Sequence, residues 1–159
     1  MPRKVKKSLQ RKINPDRKYN SVVVQRLINK SMLDGKKIAS ERMVYAALES
    51  AAKKLKSENP LEVFETALKN ISPNYEVKSR RVGGANYQIP FPIQGHRQQH
   101  YAFMWLVQCA RARSGMPYEQ RLAAEIVDAY NQMGGAFKKK EDTHRMAEAN
   151  RAFAHFARM

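Results

Sequence analysis

Cysteine is almost missing: Cys109 is the only one in 159 residues. That excludes a disulfide framework and a cysteine-rich zinc site, and it fits a reducing compartment. Long apolar runs are missing too. The longest, Tyr101-Ala102-Phe103-Met104-Trp105-Leu106-Val107, falls far short of the roughly 18 residues a membrane-spanning helix requires. The N-terminus is basic with no apolar segment behind it, so there is no sign of a secretory signal. Cytoplasm, or the inside of an organelle, is the expected compartment. Acid is scarce, and locally so: none occurs from Val77 to Tyr118.

Catalytic constellations are also missing. His96 and His100 stand four apart, a metal-ligand spacing, but no carboxylate lies between them and no third ligand follows, so no metal is expected. Cys109 reads as a small core side chain rather than a nucleophile. Gly35-Lys36-Lys37 and Gly83-Gly84 match no phosphate loop and are better read as a helix stop and a turn. The acids fall mostly at solvent-face positions of helical blocks, with no pair suited to acid–base work. Neither an enzyme nor a bound cofactor is indicated.

What the chain has is positive charge. Thirty Lys and Arg oppose 14 Asp and Glu, a net +16, far beyond what solubility needs. The charge comes in blocks: residues 1–37 carry 12 basic and 2 acidic side chains, residues 77–118 carry 6 and 0, and residues 138–159 carry 6 and 3. The near-neutral blocks between them suit a core, and the basic ones suit phosphate. One domain is expected at this length. Residues 1–18 hold eight cations and one acid with few large apolar groups, and predict a disordered tail that orders only on a partner.

The helical periodicities number six. Ser21 caps a first helix carrying Val24, Leu27, Ile28 and Met32, which ends at Asp34-Gly35. A second follows Lys36-Lys37 with Val44, Leu48, Ala51 and Leu55 inward. Asn59-Pro60-Leu61-Glu62 opens a third, with Leu61, Phe64, Leu68 and Ile71 buried and Pro73 as the stop. A fourth spans residues 93 to about 113, with Phe103, Leu106, Val107 and Ala110 on one side and Arg97, Tyr101, Met104, Gln108 and Arg111 opposite. The fifth follows Pro117, with Leu122, Ile126, Tyr130 and Met133 inward, and the sixth places Met146, Ala149 and Phe153 on one face.

Between the third and fourth helices, at about residues 75–90, two β-capable runs meet at Gly83-Gly84, where two positive φ angles suit a two-residue turn. The turn sets Val82 opposite Ala85, Arg81 opposite Asn86, Arg80 opposite Tyr87 and Ser79 opposite Gln88. Neither face then reads as a core face. A protruding polar ribbon should have a partner, and a polyanion is the obvious one. Tyr87, Tyr101 and Trp105 could stack on unpaired bases, although Trp105, on the border of two stripes, reads equally as core. A DNA-binding architectural protein with its β-ribbon in the minor groove is a second reading of the same charge.

The string Ser79-Arg80-Arg81-Val82-Gly83-Gly84-Ala85-Asn86-Tyr87-Gln88-Ile89-Pro90 resembles the signature of the bacterial-type small-subunit ribosomal protein seven family. So do Pro15-Asp16, Asn59-Pro60-Leu61-Glu62-Val63-Phe64, Trp105-Leu106-Val107 and Glu141-Asp142-Thr143-His144-Arg145-Met146-Ala147-Glu148-Ala149-Asn150, in order along nearly the whole chain. The resemblance implies a mainly α fold, a six-helix bundle with a protruding β-hairpin. It also implies a structural constituent of the small ribosomal subunit, cytoplasmic or organellar, that binds the 3′ major domain of 16S rRNA, nucleates head assembly and lines the E site near tRNA and mRNA.

By position, rRNA contact would come from Arg3, Lys4, Lys6, Lys7, Arg11, Lys12, Lys36, Lys37, Lys78, Arg80, Arg81, Arg97 and Arg111. The tRNA and mRNA side would hold Arg81, Val82, Gly83, Gly84, Ala85 and Arg145. Small-subunit proteins nine, eleven, thirteen and nineteen would be neighbours. One stretch departs from the pattern: Phe91-Pro92-Ile93-Gln94-Gly95-His96-Arg97, and Met104 before Trp105, stand where the family usually carries an acidic or valine-rich link and further arginines.

Overall fold

The computed structural model describes residues 12–158. Six α-helices and one β-hairpin follow in the order α1 (Val22–Ser31), α2 (Lys37–Lys54), α3 (Pro60–Ile71), β1 (Tyr75–Val82), β2 (Ala85–Pro92), α4 (His96–Ala112), α5 (Tyr118–Tyr130) and α6 (Gly134–Ala149). A 3-10 helix, Arg151–Arg158, closes the described chain. The tail positions Arg3, Lys4, Lys6, Lys7 and Arg11 lie outside the described residues, and the residues before Ser21 that are described are already partly engaged, since Asp16 is buried.

The helices begin where their local chemistry directs. Ser21 Oγ accepts from Val23 N at the start of α1, and Asn59 Oδ1 accepts from Leu61 N at the start of α3, where Pro60 needs no hydrogen-bond partner. α5 is the central helix. It packs on α2, α3, α4 and α6, and its Leu122, Ala123, Ile126 and Ala129 meet Leu48 of α2, Phe64 of α3 and Leu106 of α4 in one continuous core. Trp105 belongs to that core and is not a stacking platform.

Two predicted stripes are corrected. Tyr130 and Met133 do not point inward: Met133 lies beyond the last turn of α5 and both are exposed. On α6 the packed positions are Ala136 and Ala147, while Met146 is exposed and Phe153 lies past the helix end. At the start of α6 the approach is close: a Cβ on Gly134 would sit 2.9 Å from Asp128 Cβ, and one on Gly135 would sit 3.1 Å from Cys109 Sγ, so small residues there let α6 lie tightly on α4 and α5.

The hairpin pairs in the predicted register, from Tyr75 opposite Pro92 to Val82 opposite Ala85. Gly83 and Gly84 have φ of 58° and 92°, the two positive angles that a turn whose twist matches the strands demands. The absence of a core face does not hold along the whole ribbon. At its root Ile89 is fully buried and Pro90 and Glu76 are also buried, whereas Lys78 to Arg81 and Gly83 to Asn86, with Val82 left aside, are exposed. Ile93 N donates to Asn74 O and prolongs the pairing past Pro92. α4 therefore starts at His96, three residues later than the periodicity suggests, after Gly95 takes a positive φ.

Candidate nucleic-acid interface

The interface is built on two carboxylates that order basic segments. Asp16 is 3% exposed. Its Oδ1 accepts from Ser21 N at 2.8 Å, and its Oδ2 accepts from Lys18 N at 3.0 Å, Tyr19 N at 2.8 Å and Tyr45 Oη at 3.1 Å. Burial pushes this carboxyl up, and the hydrogen bonds outweigh it and hold its pKa below the ordinary value. The consequence is a fixed loop that carries Lys12 and Arg17 on its exposed side.

Glu76 does the same at the root of the ribbon. It is 3% exposed and accepts from Tyr101 Oη at 2.8 Å, from the Arg97 guanidinium and from Lys78 Nζ at 2.8 Å. Burial again pushes the carboxyl up, and the Arg97, Lys78 and Tyr101 hydrogen bonds together bring it below the ordinary glutamate value. β1 is thus tied to α4. Lys78 and Arg97, read from the sequence as phosphate contacts, are each about half exposed and each paired with this one acid. One carboxylate cannot neutralise two cations, so the root keeps a net positive charge.

Further out, Arg81 is exposed, and Arg80 Nη1 donates to Phe156 O of the terminal 3-10 helix at 3.0 Å. On the same ribbon face the Tyr87 ring lies 4.9 Å from Phe153 and 5.7 Å from Phe156. Gly83, Gly84 and Ala85 at the tip are exposed, and the backbone of Val82 pairs with Ala85. Lys36 and Lys37 are exposed at the start of α2, whose first turn holds no acid to offset them. Two cations at a helix N-terminus oppose the macrodipole, an arrangement an arriving anion would relieve. Arg111 Nη2 donates to Ser31 O at 3.2 Å and ties α4 to the end of α1. Arg145 is exposed on α6, 3.6 Å from Asp142.

The predicted residues therefore do not form one cluster. Lys78, Arg80, Arg81 and Arg97 share the ribbon and its root, Lys12 lies near Lys37 beside α1, and Arg111 and Arg145 stand on separate helices. Among the described residues no ion pair engages Lys36, Lys37, Arg80, Arg81 or Arg111, and no group of three His, Cys, Asp or Glu is placed to hold a metal. No helix among them is long and apolar enough to cross a membrane. Residue-level reading missed Asp16 and Glu76 as organisers. Their signal was isolation: each is an acid at the edge of a basic block.

Such a molecule is a scaffold: a helical body that presents cations on a ribbon and on its flank. The family model for ribosomal protein S7p/S5e matches residues 2–151. The small ribosomal subunit protein uS7 of Chloroflexus aggregans is 57% identical over 149 residues, covering 94% of each chain. That of Roseiflexus sp. strain RS-1 is 54% identical over 159 residues, covering 99% of each, and that of Thermomicrobium roseum is 54% identical over 156 residues. The chain belongs to the ribosomal protein S7p/S5e family. It is a structural ribosomal protein of the small subunit, a part of the translation machinery and not an enzyme.

Proposed function

We propose that this protein binds the 3′ major domain of 16S rRNA, starts assembly of the small-subunit head and lines the E site. In this reading the root of the ribbon and the flank of the body grip rRNA, the Gly83-Gly84 tip and Arg145 face tRNA and mRNA, and neighbouring head and platform proteins pack around it. The observation that carries the reading is the set of exposed cations, Lys36, Lys37, Arg80 and Arg81, that no acid among the described residues neutralises. Family membership supplies the ribosome as the polyanion. The tail positions Arg3, Lys4, Lys6, Lys7 and Arg11 are proposed to add phosphate contacts.

Filter binding of the full chain to a 16S 3′ major-domain fragment tests this. Six to ten phosphate contacts predict a loss of roughly 10³–10⁵ in affinity between about 50 and 200 mM salt. The double variant Arg80→Ala, Arg81→Ala should flatten the salt slope by about two while the protein stays folded. Binding the fragment no better than random RNA of equal length would sink the reading. Equal displacement by excess duplex DNA would favour the minor-groove alternative, because recognition through 2′-hydroxyls and RNA shape resists it.

A further inference from the structure

We propose that a recess between α1 and α4 holds one unpaired RNA nucleotide, and that it favours guanine, with its two neighbouring acceptors, over adenine. This rests on the RNA-binding reading above and goes further, since it assigns a single-nucleotide site and a base preference to residues outside the ribbon.

The recess measures about 560 Å³, within the ~300–1,000 Å³ of ordinary small-ligand sites. Phe103 lies at its base, almost wholly buried, and Ile13 of the leading segment contributes an apolar side chain. His96 and His100, one turn apart on α4, also line it and are exposed. Imidazole and phenyl rings offer the π faces on which unpaired bases stack. Arg26 and Lys30, four apart on one face of α1, add two cations for the flanking phosphates, and no carboxylate lines the recess.

The base preference follows from two amides. Arg26 Nη1 donates to Gln99 Oε1. A guanidinium only donates, so this bond fixes the orientation of the Gln99 amide and leaves its NH₂ as the remaining polar group. Asn29 Oδ1 accepts from Gln25 Nε2 at 3.0 Å, an arrangement that turns the Asn29 NH₂ outward as a second donor. Both amides lining the recess thus have donors to offer. Guanine presents O6 and N7 as neighbouring acceptors, whereas adenine sets its N6 amino donor between N7 and N1.

The strand also has a path out. Over Ile13 and Asn29 the recess meets a second one of about 460 Å³, lined by Lys12, Arg17 and Lys37 with Glu41 as its one acid. The loop that Asp16 orders forms one wall of this continuation, so the carboxylate that folds residues 16–21 also positions cations along the proposed route.

Fluorescence anisotropy of the full chain with labelled single-stranded hexaribonucleotides is the test: all adenine, or adenine with two central guanines. The wild type should bind the guanine hexamer about tenfold more tightly than the adenine hexamer. Gln99→Glu keeps an acceptor for Arg26 but removes the Gln99 donors, so the ratio should fall several-fold even if all affinities drop. His100→Ala should weaken every hexamer several-fold with the ratio unchanged, as expected for lost stacking. A wild type that binds the adenine hexamer equally well, or a Gln99→Glu protein that keeps the preference, overturns the proposal. The 16S 3′ major-domain fragment is titrated in parallel. Binding to it without hexamer preference discards the recess alone, and no binding to it discards the broader reading instead.

Discussion

Two glutamates are nearly closed to solvent, and they do opposite things. Glu125, 1% exposed, sits inside the helical body. Its Oε1 accepts from Ala136 N at 2.8 Å and its Oε2 accepts from Arg113 Nε at 2.8 Å. It therefore caps the first turn of α6 from a neighbouring helix, which no side chain of the N-cap residue Met133 does. Glu76, 3% exposed, sits where the ribbon leaves the body, and its partners are all side chains: Tyr101, Arg97 and Lys78. A buried backbone N–H has no substitute partner once Glu125 is gone, whereas exposed cations can turn to water or to phosphate. One acid holds the fold together, and the other sets how the ribbon is held.

The largest effect should therefore come from Glu125→Ala. It strands Ala136 N and leaves Arg113, about 30% exposed, with only Asp128. We expect a loss of about 3–5 kcal/mol in urea unfolding. A loss under about 1 kcal/mol would mean that the two acids are alike after all.

Glu76→Gln is expected to cost only about 1 kcal/mol, because its cationic partners are half exposed. Its signature is local: faster amide exchange from Val77 to Ile89 with the α5 amides unchanged. The pH dependence sharpens the contrast. The folded pKa of Glu76 is depressed, so its stabilising contribution is complete above the ordinary carboxylate value of about 4.3. It is lost as pH falls through the lowered folded value. Ribbon exchange in the wild type should rise as the solution is acidified below about pH 4, and the Glu76→Gln variant should show little of that rise. Asp16 follows the same sign and is read separately at the amides of Tyr19 and Ser21.

His144 gives a third, smaller acid-side effect. Its Nε2 accepts from Asn74 N at 3.0 Å, which requires that nitrogen unprotonated. Burial and the Lys140 charge lower its pKa. Its contribution is full above the ordinary histidine value of about 6.5 and declines as pH falls through it. Exchange at Asn74 should quicken as pH falls below about 6.5, before the Glu76 effect begins, and an Asn74 amide indifferent to that fall would remove His144 from the ribbon's support.

The body and the outer ribbon were legible in the sequence because local rules decide them. Ser21 and Asn59 cap their helices as predicted, and Gly83-Gly84 fixes the turn, which fixes every partner along the strands. The root of the ribbon was not legible. Alternation shows that Ile89 and Pro90 fall among polar residues, but whether anything covers them depends on the distant α6 and the terminal 3-10 helix, on which β2 packs. Arg97 looked like an unpaired cation for the same reason, since Glu76 reaches it only across the fold, 21 residues away; Lys78, two residues from Glu76 on the same face of β1, had its partner within reach of the alternation. The α6 stripe failed because large apolar residues were taken to mark the packed face, whereas the buried positions of the helix are the small Ala136 and Ala147.

The smallest effect is expected at the far end of the ribbon, where the terminal 3-10 helix leans on it. Phe153 and Phe156 flank Tyr87, and Arg80 donates to Phe156 O. A 3-10 run of eight residues is long for its type, since its hydrogen-bond geometry is poor, so it is held by what it touches. Replacing both rings, Phe153→Ala with Phe156→Ala, removes two aromatic contacts worth about 0.5–1.5 kcal/mol each. That cost falls on docking of the segment and not on global unfolding, because neither ring joins the core of α5. The urea midpoint should stay within error of the wild type, while exchange at Arg80 to Tyr87 quickens and exchange at the α5 amides, in the core, does not. If the midpoint falls as it does for Glu125→Ala, the outer ribbon and its strap belong to the same cooperative unit as the helices, and the division between a folding acid and a presenting acid fails.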